Sequence, residues 1–574
     1  MDAQFFRTKN IDQLLSDADR PEKRLKKTLG WLSLTALGIG AIIGTGIFVL
    51  TGTAASGELV AVPSVLKAPL LTVLMHGSHT SLNFGRPGAG PAIALSFFLV
   101  AIVCGLAGLC YAELASMIPI AGSAYTYTYA TLGELIAWII GWDLILEYAV
   151  SNMAVAVGFS AYVNSLLSTF GIRIPDSLGN PAYTPQTGWS LHFNVVGFLI
   201  VMLLTVLLVV GVRESAGANN VMVGIKLLAI LLFVIFASRY IKPVNYHPFM
   251  PNGWQGVLTG GAIVFFAYIG FDSVSTAAEE CRNPKHDLPI GILLSLAICT
   301  TFYVGVAVVL TGIQHWDSFR GQAAPVAAAL QAIGLYNIER WVTIGALMGM
   351  ISSLLVYQYG QARVWFAMSR DGLLPARFSR VHPRFRTPDV ATWVAGIFVG
   401  IPAGIFDIGT LADLSNIGTL FAFILVSLAV LILRKRQPDR ARGFRVPWSP
   451  VVPILAVLFC FVLMASLTVE NWIRFFVWLL IGLQIFFAYG VRHSEAAKTV
   501  ERARQQETQI RADRLLMGLS AVIFFATLGV GIAVWTLSGP IGAGGILTFS
   551  GIGVLEVIFF MFGWDHFRKE GSFA

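Results

Sequence analysis

Gly38-Ile39-Gly40-Ala41-Ile42-Ile43-Gly44-Thr45-Gly46-Ile47-Phe48 lies inside the first long apolar run of the chain. Its four glycines are a poor basis for a continuous helix, since each costs about 1 kcal/mol relative to alanine in a helix interior. The run therefore predicts a break. In hydrocarbon, a break leaves amides and carbonyls without partners, which is tolerable only where the backbone faces protein or a water-filled cavity. A dinucleotide fingerprint is excluded: no strand precedes the run and the G-x-G-x-x-G spacing is absent. Gly40-x-x-x-Gly44 also matches a close-packing face between membrane helices, so a second interrupted helix is needed to decide for a site.

The rest of the chain supplies the membrane. Of 574 residues, 56% are hydrophobic and 12% charged, with a mean hydropathy of +0.73, as in a polytopic membrane protein embedded in a lipid bilayer. The net charge of +8 is spread over short loops instead of gathered on a stripe, which points to orientation in the bilayer and excludes nucleic acid as a partner. The five cysteines show no metal-ligand spacing, and the nine histidines fall in loops or at span ends, with a surface loop the setting of the one close pair, His76-x-x-His79, so neither metal nor cofactor is expected.

Apolar runs of spanning length fall near 31 to 54, 91 to 117, 134 to 167, 192 to 212, 219 to 239, 254 to 279, 289 to 313, 340 to 369, 389 to 407, 411 to 433, 450 to 468, 471 to 491, 514 to 536 and 543 to 563, which makes about 14 transmembrane helices. Residues 1 to 30 are polar and basic and are expected in the cytoplasm. Even-numbered connections carry clusters such as Arg377, Arg380, Arg384, Arg386 and Arg434, Lys435, Arg436, Arg440, Arg442, Arg445. The odd-numbered ones carry only scattered cations. This asymmetry puts both termini on the cytoplasmic side of the cell membrane. The connection from about 57 to 90 is long, semi-apolar and proline-containing, and receives no function.

The second interruption is in the sixth run, Phe265-Phe266-Ala267-Tyr268-Ile269-Gly270-Phe271-Asp272-Ser273. Breaks in the first and sixth spans, five apart, are the sequence pointer to a transporter built from two repeats with substrate bound between them. Charges at depth then need roles. Lys226, in the fifth run, is too central to snorkel easily; burial disfavours its charged form, so it is expected to exchange a proton during transport. Glu147 sits about 20 Å along the third helix, with Asp143 on the same face. It would meet a cationic substrate side chain or pair with Lys226, and the residues leave both open. Asp272 is expected to cap the second half-helix or to bond exposed amides rather than touch substrate. Glu113 and the Glu279-Glu280 pair lie at span ends, within reach of arginines. No nucleophile and base converge at depth, so no enzyme is expected.

These segments, together with Tyr111-Ala-Glu-Leu-Ala-Ser116, Ala121-Gly-Ser-Ala-Tyr-Thr-Tyr127, Ala278-Glu-Glu-Cys-Arg-Asn-Pro284 and Ser369-Arg-Asp-Gly-Leu-Leu-Pro375, resemble the amino acid/polyamine/organocation superfamily. Within it they resemble most the cationic amino acid transporters and their bacterial relatives, over residues 25 to 435. The resemblance implies an all-α 5+5 inverted-repeat fold with discontinuous helices 1 and 6. The ten-helix core is residues 31 to 435, and 436 to 574 hold four additional helices and a short tail. It implies that amides of Gly44, Thr45 and Gly46 take the substrate carboxylate and carbonyls of Ile42, Phe266, Ala267 and Ile269 the ammonium. Gly270 provides the sixth-span hinge and Phe266 an aromatic gate. It also implies that Glu147 and Gln358 line the side-chain pocket, that Lys226 with Ser352 and Ser353 carries the proton, and that Glu113 with Asp272 serves gating or structure. The expected activity is alternating-access secondary transport of L-amino acids, cationic or broad-range, coupled to protons. An amino acid or polyamine exchanger is the alternative. A transport-like sensor on this scaffold would need a signalling domain for which the cytoplasmic segments look too short.

Overall fold

The computed structural model describes residues 5, 7–9, 11–12, 15, 29–58, 68–76, 86–120, 122–184, 188–210, 216–385, 387–495, 502–538 and 543–571. The chain is a mostly helical membrane bundle with two short antiparallel strand pairs among the described residues, Gly57–Glu58 with Arg86–Pro87 and Tyr183–Thr184 with Gly188–Trp189. Among the described residues, eight helices are long and apolar enough to cross a membrane, or nine when the bent pair Trp31–Ile42 and Gly46–Ser56 counts as one span. Three shorter apolar helices, Val195–Val210, Asp389–Ile405 and Val451–Ala465, accompany them. Helices Arg502–Ser538 and Ala543–Gly571 pack on each other after the rest of the bundle.

Burial orders the spans. The third span (Glu134–Ser168) and the sixth (Gly253–Thr276) are 89% and 94% buried along their most apolar stretch, against 33% for the fifth (Asn219–Tyr240), so the third and sixth form the centre. Around them the second span (Gly90–Met117) packs on the seventh (Pro284–Ile313), and the third on the eighth (Tyr336–Arg370) and tenth (Ile408–Arg436). The third span runs 35 residues without a proline, which permits a straight rod through the bundle. Its N-terminus has no side-chain cap. Instead the Phe5 and Arg7 carbonyls of the amino-terminal segment accept from the Leu135 and Glu134 amides, each at 3.0 Å, satisfying donors that a helix start leaves free. On its outer side, Trp142 stacks on Trp478 at 4.4 Å, and each indole N–H donates to the other's carbonyl (2.9 and 3.2 Å). That exchange docks the Val469–His493 span against the core.

One end of the bundle gathers the Glu113, Glu280 and Asp371 ion pairs. Glu113 is buried and takes Arg434 (2.5 Å), Arg442 (3.1 Å) and the Val446 amide (2.7 Å); Glu280 pairs with Arg363 at 2.9 Å. Arginines are thus their partners, as the span-end positions suggest. At the same end, Lys9 reaches Asp371 at 2.6 Å, and Tyr125 donates to the same carboxylate at 2.6 Å. Of the connection from 57 to 90, residues 59–67 and 77–85 lie outside the described residues; Gly57–Glu58 pairs antiparallel with Arg86–Pro87, and Leu70–His76 is a short helix.

Candidate functional site

Both predicted interruptions are present. Helix Trp31–Ile42 ends where Ile43 turns extended (φ −79°, ψ 95°), and the chain restarts as Gly46–Ser56 at a bend of 42°. The restart opens with one wide π-type turn, Gly46–Leu50, a form that often marks functional positions. In the sixth span, helix Gly253–Val264 tightens into a 3₁₀ turn at Phe265–Tyr268, Ile269 goes extended (ψ 137°) and Gly270 adopts φ +116° before helix Ser273–Thr276 begins. That φ favours glycine.

The breaks face one another. A Cβ on Gly46 would stand 2.4 Å from Ala267 Cα, and one on Gly270 would stand 2.9 Å from Ala41 Cβ. Glycine is therefore required at Gly46 by the close approach of two backbones. The end of Trp31–Ile42 presents carbonyls and the start of Gly46–Ser56 presents amides, so opposite partial charges lie within a few residues. An ammonium suits the first and a carboxylate the second. Thr45 is fully buried, and its hydroxyl has no hydrogen-bond partner among the described residues.

Lys226 meets this site from the fifth span. It is fully buried, and its Nζ donates to the carbonyls of Gly40 (2.8 Å) and Ile43 (3.0 Å). It does not snorkel: its ammonium is seated on the carbonyl end of the first half-helix, where the dipole favours a cation. Ser353 Oγ lies 3.0 and 3.1 Å from the same two carbonyls, while Ser352 Oγ is 3.1 Å from Asn219 Oδ1, which borders Gly40. Lys226, Ser352 and Ser353 thus gather around the first break.

Several expectations need correction. Of the two readings left open for Glu147, pairing with Lys226 is not made: the lysine is taken by backbone carbonyls, and among the described residues neither Glu147 oxygen has a hydrogen-bond partner. Thr419, the hydroxyl that faces Glu147, donates to the Ser415 carbonyl instead, at 3.1 Å. Gln358 turns away from the breaks, with Nε2 at 2.5 Å from Thr205 Oγ1 of Val195–Val210. The neighbouring Tyr357 faces them, its hydroxyl 2.9 Å from the Ile269 carbonyl. One residue is a 100° turn on a helix, and Tyr357, four after Ser353, shares the serine's face. Asp272 holds the N-cap position of Ser273–Thr276 but makes no side-chain cap; its Oδ2 accepts from Tyr148 OH at 3.1 Å. Phe266 is buried in the 3₁₀ turn of the sixth-span break.

Tyrosines are what sequence reasoning missed. Tyr303 OH stands 3.0 Å from the Ile42 carbonyl and 2.8 Å from that of Ala267, and Tyr162 OH is 2.8 Å from that of Phe48. Nothing in the spacing of these residues announces such contacts.

Against known proteins, the chain matches the amino acid permease family model over residues 29–484. The chain belongs to the amino acid permease family. That family lies in the superfamily that the sequence motifs resemble, and its members are transporters, not enzymes. This permease is 48% identical over 495 residues to the branched-chain amino acid permease BcaP of Bacillus subtilis (strain 168), covering 86% of this chain and 99% of that protein. It is 43% identical over 489 residues to the methylthioribose transporter of the same organism, covering 85% and 98%. To cationic amino acid transporter 9, chloroplastic, of Arabidopsis thaliana it is 32% identical over 554 residues, covering 84% and 91%. A small-molecule amino acid substrate follows from the family. The permease's helices Arg502–Ser538 and Ala543–Gly571 lie beyond the matched residues.

Proposed function

We propose that the permease carries L-amino acids inward across the plasma membrane by alternating access, driven by protons. The observation that carries this reading is the apposition of two broken spans, whose amides at Gly44, Thr45 and Gly46 and carbonyls at Ile42, Phe266, Ala267 and Ile269 match the two poles of a zwitterion. Two five-helix inverted repeats within residues 31 to 435 account for breaks in the first and sixth spans. The basic end of the bundle, with Arg434, Arg442 and Arg363, faces the cytoplasm by the positive-inside rule.

Lys226 is the proton carrier in this scheme. Its contacts with Gly40 and Ile43 tie its charge to the geometry of the first break, so gaining or losing a proton alters the half-helix that grips substrate. Ser353 and Ser352 supply neighbouring hydroxyls.

For the side chain, aliphatic L-amino acids are the first reading, supported by the 48% identity to a branched-chain permease across nearly its whole length. A cationic side chain is the second, favoured by the buried Glu147 carboxyl group, which has no hydrogen-bond partner among the described residues. One experiment separates them. The permease is reconstituted in liposomes, an inward proton gradient is imposed, and labelled leucine, valine, arginine and lysine are offered to wild type and Glu147→Gln. The aliphatic reading predicts leucine and valine uptake that survives Glu147→Gln. The cationic reading predicts arginine and lysine uptake that the substitution abolishes selectively. No gradient-dependent uptake of any of the four would remove the proposal.

A further inference from the structure

Tyr303 touches both broken spans at once. It lies in Pro284–Ile313, is fully buried, and its ring is held edge-on by Tyr268 at 5.3 Å and tilted against Phe97 at 5.4 Å. The hydroxyl is aimed between the Ile42 and Ala267 carbonyls (3.0 and 2.8 Å), and Tyr357 OH reaches the Ile269 carbonyl at 2.9 Å. Three of the four carbonyls assigned above to the substrate ammonium are therefore within reach of a tyrosine hydroxyl. A phenol brings a single proton, so Tyr303 satisfies its two acceptors only by sharing it. An ammonium brings three.

We propose that Tyr303 is a positioning residue that holds the two breaks together when no ammonium bridges them, and so permits the unloaded carrier to reorient. The inference rests on the zwitterion site proposed above. A transporter performing net uptake must return empty, and during that return its break carbonyls still need donors in a low-dielectric interior. The Tyr303 proton serves Ile42 and Ala267, one on each broken span, and Tyr357 serves Ile269. During exchange the carrier moves loaded in both directions, and substrate supplies the protons itself. Tyr303 is then needed for one half of the cycle and not for the other. Its ring, boxed by Phe97 and Tyr268, has little freedom to leave, which suits a donor that must return to one place each cycle.

The test compares two fluxes in one preparation. Proteoliposomes are assayed for net proton-driven uptake of labelled leucine, and for exchange of labelled external leucine against unlabelled internal leucine. Tyr303→Phe should lower net uptake about tenfold, the order expected when a buried acceptor loses its donor, while exchange falls no more than about threefold. Equal loss of both fluxes, or loss of neither, overturns the proposal. Phe97→Leu loosens the ring's packing and keeps the hydroxyl; if it gives the same split, packing and not hydrogen bonding is responsible and the proposal fails. Should Tyr303→Phe not be recovered as folded protein, Tyr357→Phe carries the same test at Ile269. Wild type that transports neither leucine nor any other amino acid in either assay refutes the site itself, a result distinct from a wild type that works and a variant that shows no split.

Discussion

Gly46→Ala probes the meeting of the two breaks with a single methyl group. The new Cβ would lie 2.4 Å from Ala267 Cα, 2.5 Å from Ala267 Cβ and 3.0 Å from Ala267 N. Carbon atoms pack comfortably at about 3.5–4.0 Å, so the segments must part by about 1 Å. The obstacle is largely backbone, and no side-chain rotation relieves it. Overpacking of this kind costs about 1–3 kcal/mol, and with tenfold per 1.4 kcal/mol the binding geometry should lose about 5- to 150-fold in uptake. Gly224 supplies the control, because an added Cβ there meets nothing within 4 Å. Leucine uptake into proteoliposomes under an imposed proton gradient, at matched protein and with size-exclusion profiles as the folding check, should fall by that factor for Gly46→Ala and hold for Gly224→Ala. A Gly46→Ala protein that transports like wild type would refute the idea that the two backbones meet at the substrate.

Three further outcomes follow from named contacts. Lys226→Met removes the donor to the Gly40 and Ile43 carbonyls; uptake driven by a proton gradient should drop at least tenfold and lose its dependence on external pH, measured from pH 5 to 8. Glu113→Gln weakens two arginine contacts and leaves Arg442, only 3% exposed, short of its partner. Losing one side of a buried ion pair costs about 3–5 kcal/mol, so thermal unfolding in detergent should occur at lower temperature while the apparent KM of surviving protein is unchanged. Trp478→Phe removes one indole donor and part of the stack against Trp142, and should lower thermal stability with transport intact at low temperature, because that contact lies outside the breaks.

The features legible in the sequence were those that backbone chemistry imposes locally. Glycine clustering announced the break after Ile42, and Gly270 beside Asp272 announced the second, because a helix interior penalises both. Lys226 stood out because a cation at depth must find acceptors, and the first break supplies them. Side-chain direction around long helices was harder. The resemblance places Gln358 in the pocket, yet the register of Tyr336–Arg370 sends it to Thr205 and gives Tyr357 to Ile269. Of the two readings left open for Glu147, pairing with Lys226 is not made, because the break carbonyls satisfy the lysine. Tyr303 was invisible, since its acceptor on Ile42 lies 261 residues away in the chain and no periodicity encodes that distance. The Gln484 to Glu556 contact, which ties the helix Ala543–Gly571 to Val469–Ile485, is hidden for the same reason.

Competition by one-poled analogues of leucine tests the two-ended grip most directly. Uptake of labelled leucine is challenged with unlabelled leucine, with 3-methylbutylamine, which lacks the carboxylate, and with 4-methylpentanoate, which lacks the ammonium. Hydrogen bonds to charged groups contribute about 1.5–3 kcal/mol each, so loss of a pole served by two of them should weaken competition about 100-fold or more for both analogues, whereas leucine itself competes fully. If either analogue competes as well as leucine, one of the two broken ends does not hold substrate and the account is contradicted.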